Sequence, residues 1–228
     1  MSRMLNVVKL QLINKQTYIW VPLIILASAV LVSIAIFAMI PVEAPKFGGG
    51  GQAPLWYFFA LGLSSLTLTF PFSQALSITR REFFLGTMIA AVGASVLLSA
   101  VFVVLGLIEI ATDGWGVNGF MFYLPWMWAA GPLAAGVAYF TLAMLFFLIG
   151  FAGATVFKRW GATVITDISV GIGVVLLGLV FLITRFELWG VVGEATMNAG
   201  ALGLALWGLV LVIALGAAAY LVLRRATP

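Results

Sequence analysis

The side chains able to do chemistry here are seven carboxylates, eleven basic groups and scattered hydroxyls and amides, for histidine and cysteine are both absent. Lacking histidine, the chain has no imidazole to hold a metal or haem and no Ser-His pair for hydrolysis. Lacking cysteine, it has no disulfide framework and gives no reading of redox compartment. Glu109 and Asp113 stand at the end of one apolar run, and Asp167 stands about one turn inside another. An intramembrane carboxylate is costly and is by default a functional candidate. No two ionisable residues meet in the middle of any run, so a proton relay has too few parts. Asp167 also has Lys158 and Arg159 within snorkelling reach, and an interfacial ion pair accounts for it. These residues predict a chain that is not an enzyme, binds no metal and holds no cofactor of its own.

Ser64, Thr67, Pro71 and Gln74 recur at helical spacing on one face, with Ser65, Thr69 and Ser73 nearby. Such a face in lipid serves either helix packing or a translocation path, in which Pro71 would add a flexible point. Gly48-Gly49-Gly50-Gly51 lies between prolines and reads as a flexible tether. It lacks the Gly-Lys-Ser/Thr that a phosphate-cradling loop needs, and no such motif occurs elsewhere. If ATP drives this protein, another polypeptide hydrolyses it.

The elements that must position these residues are membrane spans. The chain is 64% hydrophobic and 8% charged, with mean hydropathy +1.22, against about 25% charged residues in soluble domains. A bilayer core takes roughly 20 apolar residues per helix. Runs of that length cover 19–40, 55–76, 84–108, 132–156, 164–184 and 201–223. The expected fold is an all-α integral membrane protein with six transmembrane helices and both termini cytoplasmic. It forms one transmembrane domain over 1–228, with an interfacial helix at 1–18, a bundle at 19–223 and no nucleotide-binding domain.

Orientation follows from basic residues. Arg3, Lys9, Lys15, Arg80, Arg81, Lys158, Arg159, Arg224 and Arg225 fall in alternate connections or at the ends, whereas the other loops hold only Lys46 and Arg185. The basic connections face the cytoplasm, and five spans would put Arg224 and Arg225 on the wrong side. The net charge of +4 is this topological bias, and no basic face is broad enough to track nucleic acid. Pro125 and Pro132 interrupt the start of the fourth region, so 121–131, with Trp126 and Trp128, reads as an outer interfacial stretch. Gly93, Gly171, Gly178, Gly203, Gly208 and Gly216 suit close helix packing. At the N-terminus, Leu5, Val8 and Leu12 face away from Lys9, Asn14 and Gln16. That is the pattern of an amphipathic helix in the interface, either a topology anchor or an elbow shaping a docking surface.

The inner loop at 77–87 is the most specific segment. Thr79 with Glu82 three residues later has capping-box spacing, which starts a helix. Arg80 and Arg81 precede Phe83 and Phe84. Aromatic and arginine anchors dominate protein sockets, although both phenylalanines could equally begin the third span. Thr79-Arg80-Arg81-Glu82-Phe83-Phe84-Leu85-Gly86-Thr87 resembles the stretch after the second span in permease subunits of bacterial ABC transporters of the type-2, exporter-like family. The resemblance extends in layout to the six spans and amphipathic N-terminus. It implies a coupling helix inserted into a groove of a separate cytoplasmic ABC ATPase, with Arg80, Arg81, Glu82, Phe83 and Phe84 as contact residues. It further implies ATP and Mg in that partner, a second permease copy forming a homodimer rather than a heterodimer, export by alternating access, and residence in the bacterial inner or plasma membrane. Between the fifth and sixth spans the family often has a re-entrant hairpin, for which 185–200 offers little room. The alternatives are an ATP-independent secondary transporter and a non-transporting membrane scaffold.

Overall fold

The computed structural model describes residues 7, 8, 11 and 16–225. It is 86% helical, the all-α class expected. Five helices are long and apolar enough to cross a membrane, as a multi-pass membrane protein requires: α1 (Gln16–Met39), α2 (Gly50–Ala75), α3 (Arg80–Ala111), α5 (Pro132–Arg185) and α6 (Trp189–Leu223). The single-turn helix α4 (Pro125–Trp128) precedes α5. The expected fourth and fifth runs therefore share one element of 54 residues. It is interrupted at Gly161, whose φ of 84° and ψ of −174° lie where only glycine is comfortable. Gly200 (φ 60°) divides α6 in the same way, so that 201–223 follows the break. Most of the proposed N-terminal helix lies outside the described residues. Of those described, Val7 and Gln11 are buried and Val8 is half-buried.

The stretch 132–160 is the hub. It packs against α2, α3 and the later part of α6, and every buried residue of α5 precedes Gly161. Phe147, Leu148 and Phe151 there join Phe58, Phe70, Phe83 and Phe102 in the core. The closest approach is between α2 and α5. A Cβ on Gly62 would collide with the Phe147 carbonyl oxygen, and one on Gly150 with that of Phe59. Of the glycines expected to pack closely, Gly208 meets Thr141 and Gly216 touches Leu148. Gly93, Gly171 and Gly178 face open space, and Gly203 meets only Ala199.

The loops at 40–52 and 112–124 are built, not slack. Strands β1 (Lys46–Phe47) and β2 (Gly119–Phe120) pair in parallel, and the Gly48 amide donates to the Phe120 carbonyl at 3.0 Å. The glycine run is no tether, because side chains occupy the space a Cβ would need: Phe37 over Gly48, Ser33 over Gly50, Phe122 over Gly51. Lys46 caps the end of α1, donating to the carbonyls of Phe37 (2.8 Å), Ile40 (2.9 Å) and Val117 (3.2 Å). A cation at a helix C-terminus complements its dipole, which explains the loop lysine without any ligand. The stretch at 121–131 is only partly interfacial. Trp126 is exposed, but Trp128 is buried, donating to the Phe122 carbonyl at 2.9 Å.

Candidate functional site

The turn between α2 and α3 is short and fully specified. Ser77 takes a left-handed conformation (φ 57°), and the Ile78 amide reaches back to the Ser73 carbonyl at 3.1 Å, closing α2 with a Schellman-type bond. Thr79 then caps α3. Its hydroxyl accepts from the Glu82 amide (3.2 Å), and the Glu82 carboxylate accepts from the Thr79 amide (3.0 Å) and hydroxyl (2.7 Å). The capping box read from the sequence is present.

That geometry redistributes the expected contact residues. No separate short helix forms, because Arg80 opens a continuous element of 32 residues. Phe83 is fully buried, its ring 5.1 Å from Phe70. Phe84 is half-buried between Tyr220 (5.0 Å) and Phe151 (6.0 Å). Glu82 is committed to the cap. The Arg80 guanidinium donates to the carbonyl of Arg224 just beyond α6. Arg81 alone of the five is exposed. The phenylalanines thus begin the helix and anchor it to α2, α5 and α6, while the outward feature is a guanidinium on a rigid helix start.

The α2 face is similarly self-contained. Ser64 donates to the Leu61 carbonyl (3.1 Å), Thr67 to that of Leu63 (3.0 Å) and Gln74 to that of Ile78 (3.0 Å). Ser64 and Thr67 bond back within their own helix, and Gln74 bonds forward to the turn that follows it. The turns at Ser65–Thr69 widen to π geometry just before Pro71, where proline removes a backbone donor. Thr67 is exposed, and Ser64, Pro71 and Gln74 are half-buried.

The interhelical polar contact on α2 belongs to Ser65, its neighbour in sequence. Tyr18 of α1 donates to the Gln11 amide oxygen at 2.7 Å and shares a 3.0 Å hydrogen bond with Ser65. The Gln11 amide nitrogen reaches Thr87 of α3 at 3.0 Å. All four residues are buried. This network ties Gln11, α1 and α2 to α3. Its signal in the sequence was weak, since the partners lie up to 76 residues apart. Replacing Tyr18 with phenylalanine leaves the Gln11 oxygen without its donor. The expected loss is about 1 kcal/mol, near the range for polar contacts between membrane helices, read as a lower melting temperature in detergent. Ser64→Ala, whose hydroxyl bonds only its own helix, should change nothing.

Two carboxylates also resolve. Asp167 is exposed beyond the Gly161 break. The expected ion pair is not formed, and Arg159 instead lies 4.2 Å over the Trp160 ring. Glu109, fully buried at the end of α3, accepts from Trp115 Nε1 (3.0 Å) and from the amides of Met121 (3.0 Å), Phe122 (2.9 Å) and Tyr123 (2.7 Å). It is a latch for the loop that follows α3. Beneath it, Met121 and Phe122 help to line a cavity of about 210 Å³ with Phe102, Tyr139 and Gln52. Among the described residues no cluster of metal-ligating side chains occurs. Comparison with protein-family models, curated proteins and solved structures finds no match to this chain.

Proposed function

We propose that this chain is the permease subunit of a bacterial ABC exporter, six-spanning with both ends cytoplasmic, which dimerises and couples to a separate cytoplasmic ATPase. The observation that carries the reading is the gathering of basic segments at one end of the bundle. Arg80 bonds the carbonyl of Arg224, and Arg159 lines one pocket with Arg224 and Arg225. The inner turn, the Gly161 break and the end of α6 therefore share a side, as the basic-residue bias demands of six spans. The opposite end carries the latched loops around Glu109 and Lys46.

Arg81 projects from that basic end on a capped helix packed into the core through Phe83 and Phe84. A rigid lever of this kind transmits force from a docked partner to α2, α5 and α6, and through Thr87 to the buried Gln11–Tyr18–Ser65 network. The ATPase binds and hydrolyses ATP with Mg; this chain supplies the docking point and the path across the membrane.

Affinity capture of the tagged chain from detergent-solubilised native membranes, with mass spectrometry of the eluate, tests this. A cassette ATPase should co-elute stoichiometrically. Arg81→Glu should cut its recovery by about tenfold or more, since reversing an interfacial charge costs several kcal/mol, while the protein stays monodisperse. Phe83→Ala is a poor probe of docking, because emptying a buried phenylalanine site costs about 3–5 kcal/mol and should appear as lost folding. Recovery of no ATPase, under conditions that preserve a known cassette complex, would refute the proposal.

A further inference from the structure

Between the end of the 132–160 stretch and the end of α6 lies an open pocket of about 410 Å³, lined by Arg159, Arg224, Arg225, Leu221 and Val222. Among the described residues, three guanidinium groups and no carboxylate line it. Arg159 is braced over Trp160 at 4.2 Å, and the Arg224 backbone is held by Arg80. Arg159 is therefore positioned before any ligand arrives. The remaining wall is apolar, and Leu221 is 59% exposed. An arginine fork matches a phosphate oxygen pair better than a point charge does, and tryptophan beside arginine marks headgroup depth.

We infer that this pocket binds the phosphate of an anionic phospholipid, with the acyl chains lying along Leu221 and Val222. The apolar wall selects a lipid over a free anion, because it offers a soluble phosphate nothing and the glycerol and upper acyl chain a surface. A basic pocket between helices on the cytoplasmic side is the physical type that recognises such headgroups. The inference takes from the proposed function only which side faces the cytoplasm.

Native mass spectrometry of the full chain in detergent, titrated with phosphatidylglycerol or with zwitterionic phosphatidylcholine, reads the site directly. Wild type should retain phosphatidylglycerol preferentially. Each arginine removed should weaken retention about fivefold, so that Arg159→Gln with Arg225→Gln abolishes the preference. Arg81→Gln with Lys158→Gln removes the same charge outside the pocket and should leave the preference intact. Melting temperatures of both double variants near wild type would exclude misfolding, and the single Arg225→Gln variant serves if the double one unfolds. Equal retention of both lipids by wild type would overturn the inference, as would equal losses in the two double variants. Displacement of the lipid by equimolar glycerol phosphate would show a free-anion site and overturn it too. None of these outcomes depends on an ATPase, so failure here is separable from failure of the transporter reading.

Discussion

Gly62→Ala is expected to destabilise the protein although alanine is the better helix former. At an open helical site the exchange gains about 1 kcal/mol. At Gly62 the new methyl would meet the Phe147 carbonyl oxygen, with the Phe151 nitrogen only 2.8 Å away. Both neighbours are backbone of the 132–160 stretch and cannot rotate aside, so the helices must separate. Overpacking of this kind costs about 1–3 kcal/mol and here more than cancels the propensity gain; Gly62→Leu should exceed that range. Gly150→Ala strikes the reciprocal contact with Phe59 and should behave alike, and the double variant should be less than additive because both changes open one interface. Gly171→Ala and Gly178→Ala meet nothing within 4 Å and should be neutral or stabilising. Thermal unfolding in detergent ranks the set, and equal melting temperatures for Gly62→Ala and Gly171→Ala would contradict the packing described.

This contrast also marks where the sequence stops being legible. Apolar length alone locates the helices: the runs at 19–40, 55–76 and 84–108 correspond to α1, α2 and α3 within a few residues, and 132 and 223 are element ends as read. Glycine spacing does not say which glycines touch, because that depends on the rotation of two helices about their own axes. Gly62 and Gly150, which abut the backbone of the facing helix, were not among those singled out. Local signals fared better than distant ones. The box of Thr79 and Glu82 closes over three residues and was readable, whereas the burial of Phe83 depends on Phe70 across a turn and on the angle at which α3 leaves it. Composition misled at Gly48–Gly51, where the missing side chains that suggest flexibility also let Phe37, Ser33 and Phe122 pack directly on the backbone. Chain breaks fell between these cases. A glycine after Lys158-Arg159-Trp160 marks a boundary in basic-residue bias, but its left-handed conformation is visible only in the fold.

Glu109→Gln should free the loop after α3 while leaving the helices in place. The carboxylate is buried without an opposing cation among its partners, and its charge is met by the Trp115 indole and three consecutive amides, those of Met121, Phe122 and Tyr123. Hydrogen bonds to an ionised acceptor are about twice as strong as neutral ones. Glutamine offers one acceptor oxygen, and its amide nitrogen turns a donor toward groups that are themselves donors. An unmet buried donor costs about 1–3 kcal/mol, and two would be left whichever way the amide turns. The Phe122 carbonyl faces the other way, accepting from Trp128 and Tyr139, so the displaced loop would also pull on the core of α5 and on the 210 Å³ cavity beneath it. Hydrogen–deuterium exchange is the direct readout. Amides 121–123 should exchange at least about 30-fold faster in Glu109→Gln, the ratio equivalent to roughly 2 kcal/mol, while amides of α2 and the 132–160 stretch keep their protection. Asp113→Asn, one turn later and outside this set of bonds, should leave exchange unchanged. Unaltered protection at 121–123 in Glu109→Gln would mean that the loop is held by its aromatic packing alone. Loss of protection throughout α2 and α5 as well would make Glu109 a residue on which the whole fold depends, not the latch of one loop.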